Sequence, residues 1–386
     1  MTAKLPDFRA GLAELVATPS VSSIDPRLDM SNRPVVDLLA NWYADLGADI
    51  TLMPLPGNGD KCNLIAKFGG GEGGLVLSGH TDTVPYDANG WDSDPFALTE
   101  REGVLYGLGT SDMKSYFPLV LQVLRELDLN KLREPIYVLA TADEESNMLG
   151  AQALAEANLP LGRNAIIGEP TGLRPVFQHK GVMMAAIRLI GRSGHSSDPA
   201  LGVSALEGMH KVITDLLAWR SELQARYQNE AFKVPVPTMN LGCIHGGDNP
   251  NRICAECELA IDLRPLPGMV LAELKQALQE RVQAAVRDMD LRVEFNDRFT
   301  GIEAMQTDRN AGIVTMAEQL SGQTAGSVAF GTEGAYFNAM GMETVVLGPG
   351  DIDVAHQPNE CLSLARIEPM VKILRGMVTH FCMEKT

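Results

Sequence analysis

Four short apolar runs constrain this chain more than any other feature, because each one leads to a histidine or an acid. Leu75-Val76-Leu77 leads to His80 and Asp82, and Ile136-Tyr137-Val138-Leu139 leads to Asp143, Glu144 and Glu145. Ala165-Ile166-Ile167 leads to Glu169, while Thr344-Val345-Val346-Leu347 leads through Gly348-Pro349-Gly350 to His356. Uninterrupted apolar runs of this length read as strands buried on both faces. Helical patterns lie between them, over 117–127 and 150–158. Alternating strands and helices predict an α/β catalytic domain, a mostly parallel sheet with helices on both faces. Ligands of such sheets bind beyond the carboxyl ends of the strands. All four runs therefore deliver polar side chains to the edge where a site belongs.

The middle of the chain has a different rhythm. A strand over 182–190 and a helix over 203–224 are followed by strands over 238–244 and 253–263, a helix over 271–287 and a strand over 291–295. The order β-α-β-β-α-β is that of the ferredoxin-like split βαβ arrangement. It predicts a second domain at 180–296, inserted into a catalytic domain made of 1–179 and 297–386. Helices over 313–321 and 366–382 complete the outer layer. A chain of 386 residues is long enough for more than one core.

Zinc takes histidine nitrogen and carboxylate oxygen, and a catalytic ion keeps a position open for water. His80, Asp112, Glu145, Glu169 and His356 are the candidate ligands. Asp112 comes from the Gly-rich turn over 106–114, which opens a helix and has no strand running directly into it. That turn has a GxG without a later glycine at nucleotide-binding spacing, so a phosphate loop is not expected. Asp82 stands two residues beyond His80. On a continuing strand its carboxylate would accept the second ring N–H of that histidine and fix the tautomer. Asp143, Glu144 and Glu145 repel one another, and a bound cation or a raised pKa would relieve this. One acid can then hold metal while its neighbour works as a base.

The remaining composition excludes more than it proposes. A net charge of −17 argues against nucleic acid and anionic membrane surfaces as partners. No apolar stretch of about 18 residues predicts a membrane span. Residues 1–9 lack the apolar segment of a leader, so a cytoplasmic location is expected. Cys254 and Cys257 form a CxxC in an apolar run read as a strand. Positions three apart on a strand face opposite ways, so they would not share an ion.

Five motifs stand in register: Ser78-Gly79-His80-Thr81-Asp82, Gly109-Thr110-Ser111-Asp112-Met113-Lys114, Asp143-Glu144-Glu145-Ser146, Gly168-Glu169-Pro170-Thr171 and Ala355-His356-Gln357. Together they resemble the di-zinc metallopeptidase family that includes aminoacylase, carboxypeptidase G2 and succinyl-diaminopimelate desuccinylase. Ser193-Gly194-His195-Ser196 and Asp262-Leu263-Arg264-Pro265 narrow the resemblance to members that deacetylate amino acids. The resemblance implies two Zn2+ ions, which Co2+ can replace. His80 and Glu169 would bind one ion, Glu145 and His356 the other, and Asp112 would bridge them. Asp82 would orient His80, and Glu144 would be the general base. The inserted domain would form a homodimer interface, across which His195 reaches the partner's site to stabilise the oxyanion. Asn251 and Arg264 look like the family's contacts to the substrate carboxylate, although Arg264 could instead pair with Asp262 or Glu258. The expected substrate is a small N-acetyl amino acid, and acids near the cleft, Glu333 among them, would favour a cationic side chain. A broader N-acyl amino acid deacylase, a desuccinylase, a dipeptidase and a non-catalytic metal-binding regulator are the alternatives.

Overall fold

A computed structural model describes residues 5–383; the first four positions of the stretch read for a leader lie outside it. The chain divides into two compact units. One is Met1–Phe177, Gln306–Gly326 and Thr332–Thr386; the other is Gln178–Met305 and Ser327–Gly331.

The four apolar runs are the centre of the first unit's sheet. Ile136–Thr141, Leu75–His80, Asn164–Ile167 and Glu343–Val346 lie side by side in that order, every neighbouring pair parallel. Val76, Leu77, Val138, Leu139, Ile166 and Ile167 are all buried, so successive residues pointing to opposite faces are both covered. Outside this centre the sheet turns antiparallel. Asn58–Phe68 pairs antiparallel with Ile136–Thr141, Asp49–Leu55 pairs antiparallel with Asn58–Phe68, and Val176–His179 pairs antiparallel with Glu343–Val346. The sheet is thus parallel only in its middle. The flanking strands arrive through short connections, as in the hairpin at Gly57, and short connections cannot make parallel crossovers.

Helices Phe8–Val16, Arg33–Asp45, Tyr116–Glu126, Gly312–Ser321 and Ile367–Val378 bury their apolar sides in one continuous core with alternate residues of the strands. Tyr116–Glu126 is the most enclosed of them, with eight buried residues. Its Pro118 lies in the first turn, where a missing N–H costs nothing. A short strand, Val104–Tyr106, does run into the Gly-rich turn, between Thr99–Arg101 and Cys361–Ser363. The sequence reading missed it because three residues carry no periodicity.

The second unit has the order strand Val182–Ile190, helix Ala205–Arg226, strands Thr238–Gly246 and Glu256–Arg264, helix Leu271–Ala285 and strand Arg292–Ile302. Its sheet runs Thr238–Gly246, Glu256–Arg264, Val182–Ile190, Arg292–Ile302, all antiparallel. That is the ferredoxin-like order. Glu256–Arg264 alternates buried and half-buried residues, with Cys257, Leu259, Ile261 and Leu263 facing the two helices. Among the described residues, no helix is long and apolar enough to cross a membrane.

Candidate active site

Because the four central strands are parallel, their carboxyl ends meet at one edge of the first unit. His80 is the last residue of its strand and is 1% exposed. Its Nδ1 faces the main-chain carbonyl of Asp82 at 3.0 Å, and its Nε2 lies 2.9 Å from Asp112 Oδ1 and 3.9 Å from Glu169 Oε1. His356 Nε2 lies 3.3 Å from Asp112 Oδ2 and 3.0 Å from Glu145 Oε2. Asp112 therefore turns one oxygen to each histidine. His80, Glu144 and Glu169 each offer a ligand atom within 4.8 Å of the others, and so do His80, Asp112 and Glu145.

Asp82 differs from its expected geometry. The strand stops at His80, so residues 80 and 82 do not share a strand face. The carbonyl of Asp82, not its carboxylate, accepts from the imidazole; the nearest carboxylate oxygen is 3.9 Å away. Its Oδ2 accepts the Glu145 N–H at 3.0 Å instead, which ties the loop after one strand to the loop after its neighbour.

The loops are fastened to one another. Gly172 N–H donates to Gly350 O at 2.7 Å and Leu173 N–H to Gly348 O at 2.9 Å, joining the segment after Glu169 to the segment before His356. Ser111 Oγ receives the Asp351 N–H at 2.7 Å, joining the Asp112 turn to the same segment. His356 itself has φ +59°, in the left-handed region that non-glycine residues seldom occupy. Such conformations persist where the surroundings over-determine them, often at functional sites.

Charge at this edge is strongly one-sided. Burial, then the Glu169 carboxylate, raises Glu144 well above the usual range. Burial, then Asp112, does the same to Glu169. Hydrogen bonds to Asp112 and Glu145 raise His356 to about 10. Asp82 Oδ1, Glu169 Oε1 and Glu333 Oε1 are buried with no hydrogen-bond partner. Buried carboxylate oxygens without donors are costly. A divalent cation among Glu169, Asp112, Glu144, Glu145 and the two imidazoles would give Glu169 Oε1 a partner, so the donor set fits a divalent-metal site.

The three consecutive acids part company here. Asp143 is held by the buried Lys61 ammonium and by Ser22 Oγ at 2.8 Å, so it is already neutralised. Glu145 faces His356, and Glu144 faces the His80–Glu169 pair. Glu333 is fully buried, accepts from Thr141 Oγ1 at 2.9 Å and is raised to about 7 by burial. Two residues escaped the sequence reading. They are Lys61, 3% exposed, and Glu360, neither of which belongs to a motif. Glu360 is 2% exposed and accepts three backbone N–H groups of the Asp112 turn.

His195, Asn251 and Arg264 belong to the second unit. His195 is exposed, and its Nδ1 accepts from Ser197 Oγ at 2.7 Å. Asn251 is exposed, and its carbonyl accepts the Ser196 N–H. Arg264 makes a two-pronged ion pair with Asp262, at 2.7 and 2.9 Å. Cys254 and Cys257 are free thiols; Cys257 is buried in the core of the second unit, and Cys254 hydrogen-bonds to the Glu256 carbonyl.

Parallel strands that bring two histidines and a set of acids to one sheet edge define a metal-binding α/β protein of the hydrolase type. The chain belongs to peptidase family M20/M25/M40, whose sequence pattern it matches over residues 76–380. It is 47% identical over 382 residues to an acetylornithine deacetylase of Edwardsiella ictaluri, covering 99% of this chain and 100% of that one. It is 46% identical over 391 residues to an acetylornithine deacetylase of Yersinia pseudotuberculosis, covering both chains fully. Its fold superposes on a tripeptidase from Staphylococcus aureus with a TM-score of 0.76 at 19% identity, covering 99% of each. An M20 family metallo-carboxypeptidase from Sulfolobus solfataricus gives 0.76 at 18% identity, covering 97% of this chain and 99% of the other.

Proposed function

We propose that this chain hydrolyses N2-acetyl-L-ornithine to L-ornithine and acetate, as a step of arginine biosynthesis. The full-length likeness to acetylornithine deacetylases supports the substrate. The observation that carries the chemistry is Glu144, whose carboxylate lies within 4.8 Å of His80 and Glu169 ligand atoms while Asp112, Glu145 and His356 form a second cluster beside it. A purely metal-storing site would gain nothing from that extra acid.

In this reading His80 and Glu169 would hold one Zn2+ and Glu145 and His356 the other, with Asp112 contributing to both; Co2+ would suit the same donors. When bound, such ions would supply an electrophile for the amide carbonyl and would lower the pKa of a water. Glu144 takes the proton of the attacking water and later returns it to the leaving amine nitrogen. Its place beside His80 and Glu169 leaves it free of the second cluster and within reach of the reacting water. Asp82 keeps Glu145 in place through the main chain. His195 donates to the developing oxyanion of the partner subunit's substrate, and Asn251 and Arg264 receive the substrate carboxylate, Arg264 by exchanging its Asp262 partner.

A homodimer is part of the proposal. Thr238–Gly246 is an edge strand whose second half is exposed, with Ile244 48% exposed. An open edge of this kind invites pairing with another chain. Six free thiols suit a reducing cytoplasm.

Glu144→Gln is the direct test. It is expected to keep the metal content of the wild type and to lower acetate release by about 10²–10⁴-fold. Near-normal kcat would remove Glu144 from the mechanism. Mixed with His195→Ala under subunit exchange, the same variant is expected to recover part of the activity; exchange without recovery would remove the role across the dimer.

A further inference from the structure

Glu360 is the buried acid that the proposed chemistry leaves without a task. Its side chain is enclosed, and among the described residues it makes no ion pair. It accepts the Gly109 N–H at 2.8 Å through Oε2, and the Ser111 and Asp112 N–H groups at 2.7 and 2.9 Å through Oε1. Its own carbonyl accepts the Gly107 N–H at 3.1 Å. The nearby buried ammonium of Lys114 is committed elsewhere, to the carbonyls of Leu15 and Thr18.

The turn that Glu360 grips has little rigidity of its own. Gly107 has φ +157° and Gly109 φ +83°, both outside the range that side-chain-bearing residues prefer. Glycines lose more freedom on ordering than any other residue. Three buried N–H groups of this turn converge on the two oxygens of one side chain, so their hydrogen bonding depends on Glu360. The third comes from Asp112 itself. Four positions upstream of Glu360 stands His356, and between them Asn359 Oδ1 accepts the Asp92 N–H at 2.9 Å. One side chain thus joins the backbone of the bridging acid to the segment that carries the histidine on the far side of the bridge.

We propose that Glu360 is a positioning residue of the metal centre, holding the main chain of Asp112 so that its two oxygens keep their spacing between His80 and His356. The inference rests on the reading of that cluster as a metal centre. Removing one carboxylate oxygen leaves a buried N–H of the turn without an acceptor. The turn then shifts or loosens, and Asp112 no longer meets both histidines at 2.9 and 3.3 Å. Glutamine is the sharpest probe, because it keeps the volume but turns an NH2 group toward an N–H donor.

The experiment is a metal titration of the chelator-treated full-length protein with Co2+ and Zn2+, in competition with a chromophoric chelator, alongside the visible spectrum of the Co2+ form. For Glu360→Gln we expect affinity about tenfold to a hundredfold weaker than wild type, the range found when groups supporting metal ligands are removed. The Co2+ absorption is expected to change shape as well as intensity, which a general loss of stability would not produce. Wild-type affinity together with a wild-type Co2+ spectrum in E360Q overturns the positioning role, whatever the melting temperature. If the wild-type protein itself fails to bind Co2+ or Zn2+, the metal-centre reading falls first, and separately. Should E360Q not fold, Glu360→Asp keeps the carboxyl group one methylene short of the turn. It too is expected to bind Co2+ more weakly with an altered spectrum, and unchanged binding in E360D overturns the role equally.

Discussion

Three adjacent carboxylates, Asp143, Glu144 and Glu145, have three different sets of neighbours. Asp143 is consumed by Lys61, whose side chain is only 4% exposed and also binds Asp29 at 2.6 Å. The pair fixes the loop from which its two neighbours reach the site. Removing one member of a buried ion pair leaves a charge uncompensated and costs about 3–5 kcal/mol. Lys61→Met is therefore expected to lower the chemical-denaturation midpoint by an amount of that order and to reduce metal retention. An unchanged midpoint would show that Asp143 needs no counter-charge. The sequence showed three acids beyond a buried strand, but not which of them was spoken for. Lys61 stands 82 residues away from Asp143, and nothing local marks it as buried. The split between Glu144 and Glu145 came from the family resemblance, because adjacent glutamates look alike until their neighbours in space are known.

At the scale of elements, the four central strands were legible because buried parallel strands write themselves as unbroken apolar runs. Their shared direction explains why His80, Glu145, Glu169 and His356 reach one edge. The small elements were not legible. Val104–Tyr106 and Cys361–Ser363 are three residues each, yet their pairing places Glu360 against the Asp112 turn. An isolated glutamate after Pro358 and Asn359 reads as solvent-facing, which acids usually are. The antiparallel flanks were missed for a related reason, since half-covered edge strands such as Asp49–Leu55 lack an apolar run. Close packing of the loops gives this level its prediction. A Cβ on Gly348 would lie 2.0 Å from the Gly168 carbonyl oxygen and 2.5 Å from that of Glu169. Gly348→Ala must push the Glu169 and His356 loops apart. It is expected to bind metal at least tenfold more weakly, read by the same chelator competition, and wild-type affinity would mean that the two loops move without disturbing their ligands.

The whole molecule combines a metal-binding α/β unit with a ferredoxin-like unit in a single chain, and its net charge of −17 has a local counterpart. Asp82, Asp112, Glu144, Glu145, Glu169, Glu333 and Glu360 are concentrated around two histidines at one sheet edge, mostly away from water. Such a concentration is unfavourable unless cations share it. Composition gave the sign of the charge but could not say where it gathers. The same holds for the boundary between units, since Arg292–Ile302 runs on as one strand past the apolar stretch at its start, and Ser327–Gly331 returns to the second unit after a detour of chain.

If the acid and histidine cluster holds divalent metal and Glu144 is the base that works there, hydrolysis of an N-acetyl amino acid must depend on metal. The decisive measurement is acetate release from N2-acetyl-L-ornithine by chelator-treated protein as Zn2+ is returned in measured equivalents. No turnover is expected without metal, and activity is expected to rise with added Zn2+ until two ions are bound per chain. Full turnover by protein proven to contain no metal would contradict this dependence.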